Sequence, residues 1–340
     1  MRKLREQAVS RHEEAISAYN AGDYPRSLRL FEEITRAGQG GASALVGLGL
    51  SRFKLGMKRE AIDALEASLR LPGDEKRGDE FLARKFLAFA YYEGDDIRRS
   101  LDNAERGLAI RMDPELERLR ARLALEKSAR REYVGEETFH FRVLFDGREH
   151  SGLGASVKEM LEDAYGEIGS ALGHFPGGTV TVILYTERDF RAVTGAGGMV
   201  GGAYDGKIRL AVRGAEGNED ALRKVVYHEY AHAVIHSITP RCPLWLNEGL
   251  AEYLSGDRYS ESEGGARLAD LEKAFPSGPA AMRAAYATSY LAVSRLVERH
   301  GLYAVRDFLL RLARGEDTER AFSSAFFVSY REFLSDWDRI

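Results

Sequence analysis

The residues with the clearest chemical potential are His228, Glu229 and His232, in the run His-Glu-Tyr-Ala-His at 228–232. Residues four apart lie one above the other on a helix, so both imidazoles can point at one metal ion while Glu229 projects beside them. A Zn²⁺ ion with three protein ligands keeps a fourth position for water and lowers the pKa of that water to about 7. A neighbouring carboxylate can then accept its proton. The spacing therefore predicts a hydrolytic zinc site with Glu229 as base.

The flanking residues favour this interpretation over an accidental His-x-x-x-His pair. Apolar side chains recur around the motif and predict a buried helix. They are Ala221, Leu222, Val225, Val226, Ala233 and Val234. Burying two histidines and a glutamate in such a helix is costly unless something satisfies their polar atoms, and a metal ion would do so.

A second motif, Trp-Leu-Asn-Glu-Gly-Leu-Ala-Glu-Tyr, follows at 245–253. The two segments together resemble the gluzincins, the zinc peptidase group that includes thermolysin and the aminopeptidases of the leukotriene hydrolase type. The resemblance implies that Glu248, on a second helix expected to begin at Pro243, is the third metal ligand. It also implies that Glu252 hydrogen-bonds His228 without touching the metal, and that Asn247 lies in the same outer layer of residues around the metal ligands. For Glu252 a solvated helix charge is the alternative.

The same resemblance gives a role to Tyr286. In the aminopeptidases a later helix carries a Tyr-x-x-Gly segment whose phenol reaches the tetrahedral intermediate, and Tyr286 matches that tyrosine, with Ser289 in place of the glycine. A phenol O–H can donate a hydrogen bond to the developing oxyanion. The alternative is a tyrosine packed in a helical core.

Substrate contacts are expected just before the zinc helix. Residues 207–212 alternate like a strand, and in gluzincins the corresponding strand lies at the sheet edge and pairs with the substrate main chain. The glycine-rich residues 197–203 would let a peptide approach the backbone, which places Gly202, Ala203 and Tyr204 as contacts; a surface turn is the alternative. The Gly-x-Met-x-Asn motif of the aminopeptidases is absent from 201–206. We therefore expect an endopeptidase.

His236 is a weaker ligand candidate, although it lies one further turn along the same helix. A third histidine ligand, as in metzincins, needs a glycine turn that returns a later histidine to the metal, and that turn is absent. His236 is therefore expected to be a packing or surface residue.

The amino-terminal part contains a repeat. An aromatic-x-x-Gly pattern ends at Gly22, Gly56 and Gly94, with spacings of 34 (56 − 22) and 38 (94 − 56) residues. Small residues follow each glycine, and larger ones come four residues later in the first two units. The small residues are Ser27, Ala61 and Ser100, and the larger ones are Phe31 and Leu65. Helical units of this period resemble tetratricopeptide repeats, which implies a groove for a peptide or protein partner; an array that only packs on the catalytic domain is the alternative.

These patterns predict two domains. Residues 1–135 form a tetratricopeptide-like helical array with a capping and linker helix near 113–131. Residues 136–340 form an α+β zincin domain of the gluzincin type, with a small mixed sheet and a helical lower lobe. Residues 139–145 and 179–185 are the other expected strands.

Composition agrees with a globular enzyme. The chain has 340 residues, of which 44% are hydrophobic and 30% charged, and its net charge is −4. No basic cluster interleaved with aromatics indicates a nucleic-acid binder, and no apolar run is long enough to span a membrane. The start lacks an apolar stretch, so the chain as given is expected to be cytoplasmic, although a trimmed export signal would leave no trace.

The expected function is zinc-dependent hydrolysis of peptide bonds, with the repeats recruiting a protein substrate or adaptor. Two alternatives stay open on the sequence alone. One is a binding scaffold that keeps the peptidase fold without turnover. The other is hydrolysis of a non-peptide amide, which uses the same zinc chemistry.

Overall fold

The computed structural model describes residues 2–71, 77–147, 151–195, 201–212, 218–272 and 278–337. These residues are mostly helical, with one mixed five-stranded sheet. The chain divides into two compact units, Met1–Ala129 and Arg130–Ile340. Both a mostly helical chain and a small mixed sheet were predicted from the sequence.

The first unit consists of helices over its described residues. They are α1 (Arg2–Asn20), α2 (Tyr24–Arg36), α3 (Gly41–Lys54), α4 (Lys58–Arg70), α5 (Arg77–Glu93), α6 (Ile97–Ile110) and α7 (Pro114–Ala129). Tight turns join α1 to α2, α3 to α4 and α5 to α6, so the helices pair in chain order. The sequence places Pro72 and Pro114 near the ends of repeats. Pro114 is the first residue of α7, and Pro72 lies outside the described residues.

In the third repeat Ser100 comes six residues after the glycine, whereas the small residue comes five after the glycine in the first two repeats. The tight turns explain this extra residue. Gly22 and Gly56 adopt positive φ angles of 80° and 76°, a left-handed conformation that glycine takes without strain. In the third turn Asp95, not Gly94, has the positive φ, 60°. When Asp95 is aligned with the two glycines, Ser100 falls into the same register as Ser27 and Ala61. All three side chains are fully buried, as close packing of paired helices requires.

The second unit contains the sheet. Its strands are β1 (Tyr133–Glu137), β2 (Phe141–Asp146), β3 (Val180–Tyr185), β4 (Gly202–Tyr204) and β5 (Ile208–Ala211). Their order is β1-β2-β3-β5-β4, with β2, β3 and β5 parallel and both outer strands antiparallel to their neighbours. The boundary expected after residue 135 falls inside β1.

One prediction about the sheet is wrong. The segment 207–212 was expected to be the edge strand beside the cleft, but β5 pairs with β3 on one side and β4 on the other. The edge strand is β4, whose residues were expected only to be part of a glycine-rich approach for the peptide. Strand β4 has only three residues, two of them with small side chains. A segment this short shows no alternation that would identify a strand.

The described residues of the second unit also form nine helices. They are α8 (Ser151–Leu172), α9 (Glu187–Thr194), α10 (Glu219–Ile238), α11 (Leu244–Ser255), α12 (Leu268–Leu271), α13 (Pro279–His300), α14 (Leu302–Ala313), α15 (Thr318–Phe326) and α16 (Tyr330–Trp337), with a 3₁₀ turn at Glu261–Glu263. A single buried cluster joins apolar residues of β2, β3 and β5 to those of α8, α10, α11 and α13. This core fixes α10 against the sheet and α11 against α10. Among the nine helices, α8, α9 and α10 contact the sheet.

Helix α11 begins one residue later than expected. Pro243 precedes the helix as its N-cap, with an extended ψ of 139°, and Leu244 is the first helical residue. Further along, Gly249 lies against α13 so closely that an added Cβ atom would meet the backbone oxygen of Ser289 at 2.2 Å. Glycine at this position therefore allows the two helices to approach.

No helix in the described part of the chain is both long enough and apolar enough to cross a membrane.

Candidate metal centre

Helix α10 positions the two histidines. Its first turn is capped by Asn218, whose side chain accepts a hydrogen bond from the N–H of Ala221. From Val226 to Ile235 every residue of the helix except His228 is buried. His228 and His232 lie one turn apart, and their Nε2 atoms are 3.1 Å from each other.

Helix α11 brings Glu248 to the same point. Its Oε2 lies 3.6 Å from Nε2 of His228 and 3.4 Å from Nε2 of His232. A tetrahedral ion with bonds of about 2.0–2.1 Å holds its ligand atoms roughly 3.3–3.4 Å apart. The three atoms therefore form a triangle whose edges match one face of such a coordination sphere. These residues are a group that could hold a metal ion.

Glu252 supports His228 from the side away from this triangle. Its Oε1 is 3.3 Å from Nδ1 of His228, and its Oε2 accepts a hydrogen bond from the phenol of Tyr259 at 3.0 Å. A carboxylate that pairs with Nδ1 fixes the orientation of the imidazole ring, so that the lone pair of Nε2 points toward the triangle. Tyr259 was not singled out from the sequence, because it lies in an irregular segment after α11.

Contacts among the three candidate ligands outweigh the effect of burial on their pKa values. Burial alone lowers the pKa of His228, but the hydrogen bond to Glu248 and the charges of Glu229 and Glu252 raise it to about 9. The pKa of His232 is raised in the same way by Glu248. Burial favours a neutral Glu248, yet the two histidines hold its pKa well below the usual range.

Glu229 lies next to the triangle but outside it. It is 5% exposed, and burial raises its pKa above the usual range despite the nearby histidines. Its Oε2 is buried and has no hydrogen-bond partner among the described residues. The carboxylate fits only because residue 202 is glycine, since a Cβ there would lie 2.5 Å from its Cγ. A buried, unpartnered carboxylate oxygen is suited to binding a water molecule.

Tyr286 reaches the same site from α13. Its ring centroid lies 6.1 Å from that of His228. Burial, together with the charge of Glu248, raises the pKa of Tyr286 above its usual range, so the phenol keeps its proton and can donate it in a hydrogen bond. Tyr290, one turn further along, instead packs against the rings of Tyr253 and Tyr259.

A cleft of about 240 Å³ opens beside these residues. Glu229, His228, Glu252 and Tyr286 line it. The remaining lining residues are Gly201, Gly202, Lys224, Val225, Asp257, Tyr259, Met282 and Arg283. Helical spacing could have indicated Lys224 and Arg283, which lie four residues before His228 and three before Tyr286.

Strand β4 contributes Gly202 to the cleft wall, whereas Ala203 and Tyr204 do not line it. Gly201 accepts a hydrogen bond from the N–H of Ala211. Hydrogen-bonded pairs alternate along an antiparallel ladder, so Gly202 directs its N–H and C=O away from β5, toward the outer side of this edge strand. Residues 197–200, expected to belong to the same approach, lie outside the described residues.

Two other residues are not brought to the site. The side chain of Asn247 makes no hydrogen bond to any residue that the structure describes, and it does not line the cleft. His236 is exposed, and the centroid of its ring lies 5.8 Å from that of Tyr204. It is not part of the candidate ligand group.

The donor set fits a metal such as zinc by its chemistry. Two neutral imidazoles and one carboxylate are typical zinc ligands, and the buried oxygen of Glu229 lies beside them. No family model matches the chain, and no curated protein matches it with significant similarity. The geometry of the site is therefore the basis for any functional assignment.

Proposed function

We propose that the protein is a zinc-dependent peptidase of the gluzincin type. The observation that carries this proposal is the triangle formed by Nε2 of His228, Nε2 of His232 and Oε2 of Glu248, with edges of 3.1, 3.4 and 3.6 Å. A buried carboxylate, Glu229, lies beside it and opens to a cleft. Three ligands plus one adjacent base is the arrangement that metal-assisted hydrolysis needs.

His228, His232 and Glu248 would hold the ion, and Glu252 with Tyr259 would keep His228 in the orientation that presents Nε2. Bound Zn²⁺ would supply a Lewis acid and lower the pKa of water at the open position. Glu229 accepts the proton of the attacking water, and its raised pKa makes it able to pass that proton to the leaving amine.

Tyr286 is assigned the role of hydrogen-bond donor to the carbonyl oxygen of the scissile bond. Its phenol is protonated over the working pH range, and its ring packs near His228. A donor that meets the oxygen as negative charge develops stabilises the transition state more than the bound substrate.

The edge strand β4 supports a peptide as the substrate. Gly202 presents its backbone groups on the outer side of the sheet and also lines the cleft next to Glu229. An extended peptide that pairs with β4 would pass beside the candidate metal centre. This arrangement favours proteolysis over hydrolysis of a small non-peptide amide.

The helical first unit is assigned a recruiting role. Its three helix pairs and buried small residues support a tetratricopeptide-like array, and such arrays present a surface for a peptide or protein.

The absence of the aminopeptidase motif from 201–206 supports an endopeptidase.

The variant Glu229→Gln tests the proposal. A carboxamide cannot accept the proton of water, so hydrolysis of an unbiased peptide library should fall by about 10²–10⁴-fold while zinc content stays unchanged. Glu298→Gln, an exposed glutamate on α13, is the matched control and should behave as wild type. Glu229→Gln activity within a few-fold of wild type would remove Glu229 from the mechanism. A wild-type protein that binds zinc but cleaves no peptide would instead support the scaffold alternative.

A further inference from the structure

Four aromatic side chains of the second unit are exposed within the described residues. They are Phe139, Phe175, Tyr303 and Phe327, with exposed fractions of 90%, 47%, 77% and 88%. Large apolar side chains mostly lie in the core, because their burial stabilises the fold. One exposed apolar residue needs no explanation, but a group of them at one place marks an interaction site.

Phe139 and Phe175 belong to one row of rings. Phe139 lies just before β2, and its ring centroid is 4.8 Å from that of His140. His140 stacks on Tyr165 of α8 at 3.5 Å, and the ring of Tyr165 lies 5.1 Å from that of Phe175. The row therefore lies where the parallel strands β2 and β3 begin and where α8 ends.

Tyr303 lies next to the end of α8. An added Cβ atom at Gly173, the residue after α8, would lie 2.8 Å from Nη1 of Arg306, so this guanidinium packs against the backbone there. Tyr303 is three residues before Arg306 in the first turn of α14, and residues with this spacing are neighbours on one face of a helix. The start of α14 thus lies beside the row of rings.

Phe327 lies next to the end of α13. The ring of Phe326, the last residue of α15, is 5.6 Å from that of His300, the last residue of α13. The ring of Tyr303 packs over the following residue, Gly301, where an added Cβ atom would be 2.8 Å from its Cδ1. Phe139, Phe175, Tyr303 and Phe327 therefore lie at one end of the second unit, which we call the aromatic end.

The backbone of Phe327 is strained. Its φ of 58° lies in the left-handed region, where glycine is the usual residue after a helix and a bulky side chain is rare. The side chain is almost wholly exposed, so packing within the chain does not offset the strain. Strained residues persist mainly where they serve a function. A phenylalanine held outward at this position indicates a contact outside the chain.

Two exposed arginines at the aromatic end have no carboxylate partner. Within the described residues, neither Arg299 nor Arg306 forms an ion pair. The carboxylate of Glu162, beside the row of rings, is already bonded to Nδ1 of His140 at 2.6 Å. Glu298 precedes Arg299 but lines the pocket between α13 and the 3₁₀ turn. The two arginines therefore complement an anionic surface.

We propose that the aromatic end docks on the surface of an anionic lipid bilayer. The four rings enter the boundary between headgroups and acyl chains, and Arg299 and Arg306 bind lipid phosphates. A bilayer deforms around single protruding rings, whereas a protein partner needs a matching pocket for each anchoring side chain. The inference is independent of the proposed peptidase function.

Docking at the aromatic end leaves the candidate metal centre accessible. His174, next to Phe175, is hydrogen-bonded to Ser237 near the end of α10 at 2.9 Å. His228 lies nine residues earlier on the same helix (237 − 228), which corresponds to about 14 Å.

Co-sedimentation of the full-length protein with lipid vesicles tests the inference. The probes are vesicles of phosphatidylcholine alone and vesicles of an equimolar mixture of phosphatidylcholine and phosphatidylglycerol. The protein should sediment with the mixed vesicles and bind the neutral ones about tenfold more weakly, because each arginine near an anionic surface adds to the affinity.

Tyr303→Ser combined with Phe327→Gly should weaken binding to the mixed vesicles by about tenfold or more, since two apolar rings no longer enter the bilayer. Met112→Ser is the matched control, because Met112 is 70% exposed but lies in the first unit. This control should bind as wild type.

Arg299→Gln combined with Arg306→Gln should reduce the preference for the mixed vesicles to within about twofold. Arg320→Gln is the matched control, since Arg320 is 79% exposed in the first turn of α15, at the opposite end of that helix from Phe327. It should leave the preference unchanged.

Phe327→Gly alone separates docking from a structural role. Glycine adopts a positive φ without strain, so this variant should melt about 2–4 °C higher than wild type while binding vesicles more weakly. A lower melting temperature would show that the side chain stabilises the fold, which would contradict the proposed role.

A wild-type protein that stays in solution with mixed vesicles would overturn the inference, and so would full binding by the Tyr303→Ser, Phe327→Gly variant. A wild-type dimer in sedimentation equilibrium that this variant lacks, without vesicle binding, would make the aromatic end an interface between two copies instead. Failure of the proposed peptidase function gives a different result, in which the protein binds mixed vesicles but cleaves no peptide.

Discussion

At the scale of single residues, the protonation of His228 and His232 would control metal binding at the candidate site. Metal binding requires neutral histidine, yet contact with Glu248 holds the pKa of His228 at about 9 and raises that of His232. In the metal-free protein the proton on His228 therefore stabilises the folded state below the unfolded pKa of about 6.5. That contribution is lost as the pH rises through about 9.

Zinc uptake at pH 7 is expected to release at least one proton per chain. Between pH 7 and 9 the affinity should strengthen by about tenfold for each unit of pH, because the ion competes with the proton on His228. Titration calorimetry in buffers of different ionisation enthalpy measures the released protons directly. Zinc binding at pH 7 with no proton release would show that His228 is already neutral or is not a ligand.

Tyr286 and Tyr290 provide a second test at this scale. Tyr286→Phe should lower kcat about 10²-fold with little change in KM or zinc content, because the phenol donates fully only in the transition state. Tyr290→Phe is the matched control, since Tyr290 packs against Tyr253 and Tyr259 and lies outside the cleft lining. A large loss of kcat at Tyr290, or none at Tyr286, would place the oxyanion donor elsewhere.

Sequence spacing was informative for residues within one helix. The four-residue interval predicted that His228 and His232 would face one point, and a geometric rule sufficed because both lie on α10. Tyr259 and Asp257 escaped prediction because they lie in an irregular segment whose path depends on tertiary contacts. The role of Asn247 was predicted from its motif alone, and its side chain makes no hydrogen bond to any residue within the described ranges.

At the scale of elements, the close approach of α11 and α13 sets where Glu248 lies. Gly249 allows that approach, and the first turn of α11 is held by the indole N–H of Trp245, which donates to the hydroxyl of Tyr330 at 2.9 Å. Tyr330 in turn donates to Glu272. The candidate third ligand is therefore fixed by contacts with α13 on one side and α16 on the other.

Gly249→Ala should push α11 away from α13. The added methyl group would meet backbone atoms that cannot rotate aside, and such overpacking typically costs about 1–3 kcal/mol in the free energy of unfolding. Zinc affinity should fall as well, because Glu248 is the adjacent residue. Urea denaturation with chelator present, and zinc titration, measure the two effects.

Gly166→Ala is the matched control in a helix interior, on α8. An added Cβ atom there meets nothing within 4 Å, so alanine should raise stability by about 0.5–1 kcal/mol and leave zinc binding unchanged. Equal effects of the two substitutions would contradict the assigned role of Gly249.

The central strands were easier to predict than the outer ones. The run of β-branched and apolar residues at 179–185 indicated β3, which is buried between two neighbours. Strand β1 is mostly exposed, and β4 has three residues, so neither shows a recognisable alternation. Each pairs with the next strand along the chain, β2 or β5, and forms because that strand offers hydrogen bonds, which the pattern of its own residues does not indicate.

At the scale of the whole molecule, the chain has two separately packed units, and every candidate ligand and catalytic residue lies in the second. The repeat spacing predicted the helix pairs of the first unit. The boundary between the two units was less predictable, because β1 begins only four residues after α7 ends (133 − 129) and no long linker marks the change.

A fragment comprising Arg130–Ile340 should fold, bind zinc and cleave a short unstructured peptide with kcat/KM within a few-fold of the full chain. It should lose efficiency on a protein substrate that the first unit recruits. The fragment begins at Arg130 so that β1 is retained. A folded, zinc-loaded fragment that is inert on every peptide would mean that the first unit completes the active site.

Metal content of three proteins tests the central claim most directly. Wild-type protein and His236→Ala, each exhaustively dialysed, should both retain about one zinc per chain by elemental analysis, whereas Glu248→Ala should lose most of it and melt at a lower temperature. The opposite pattern, with zinc retained in Glu248→Ala and lost from His236→Ala, would contradict the proposed ligand set and the gluzincin assignment with it.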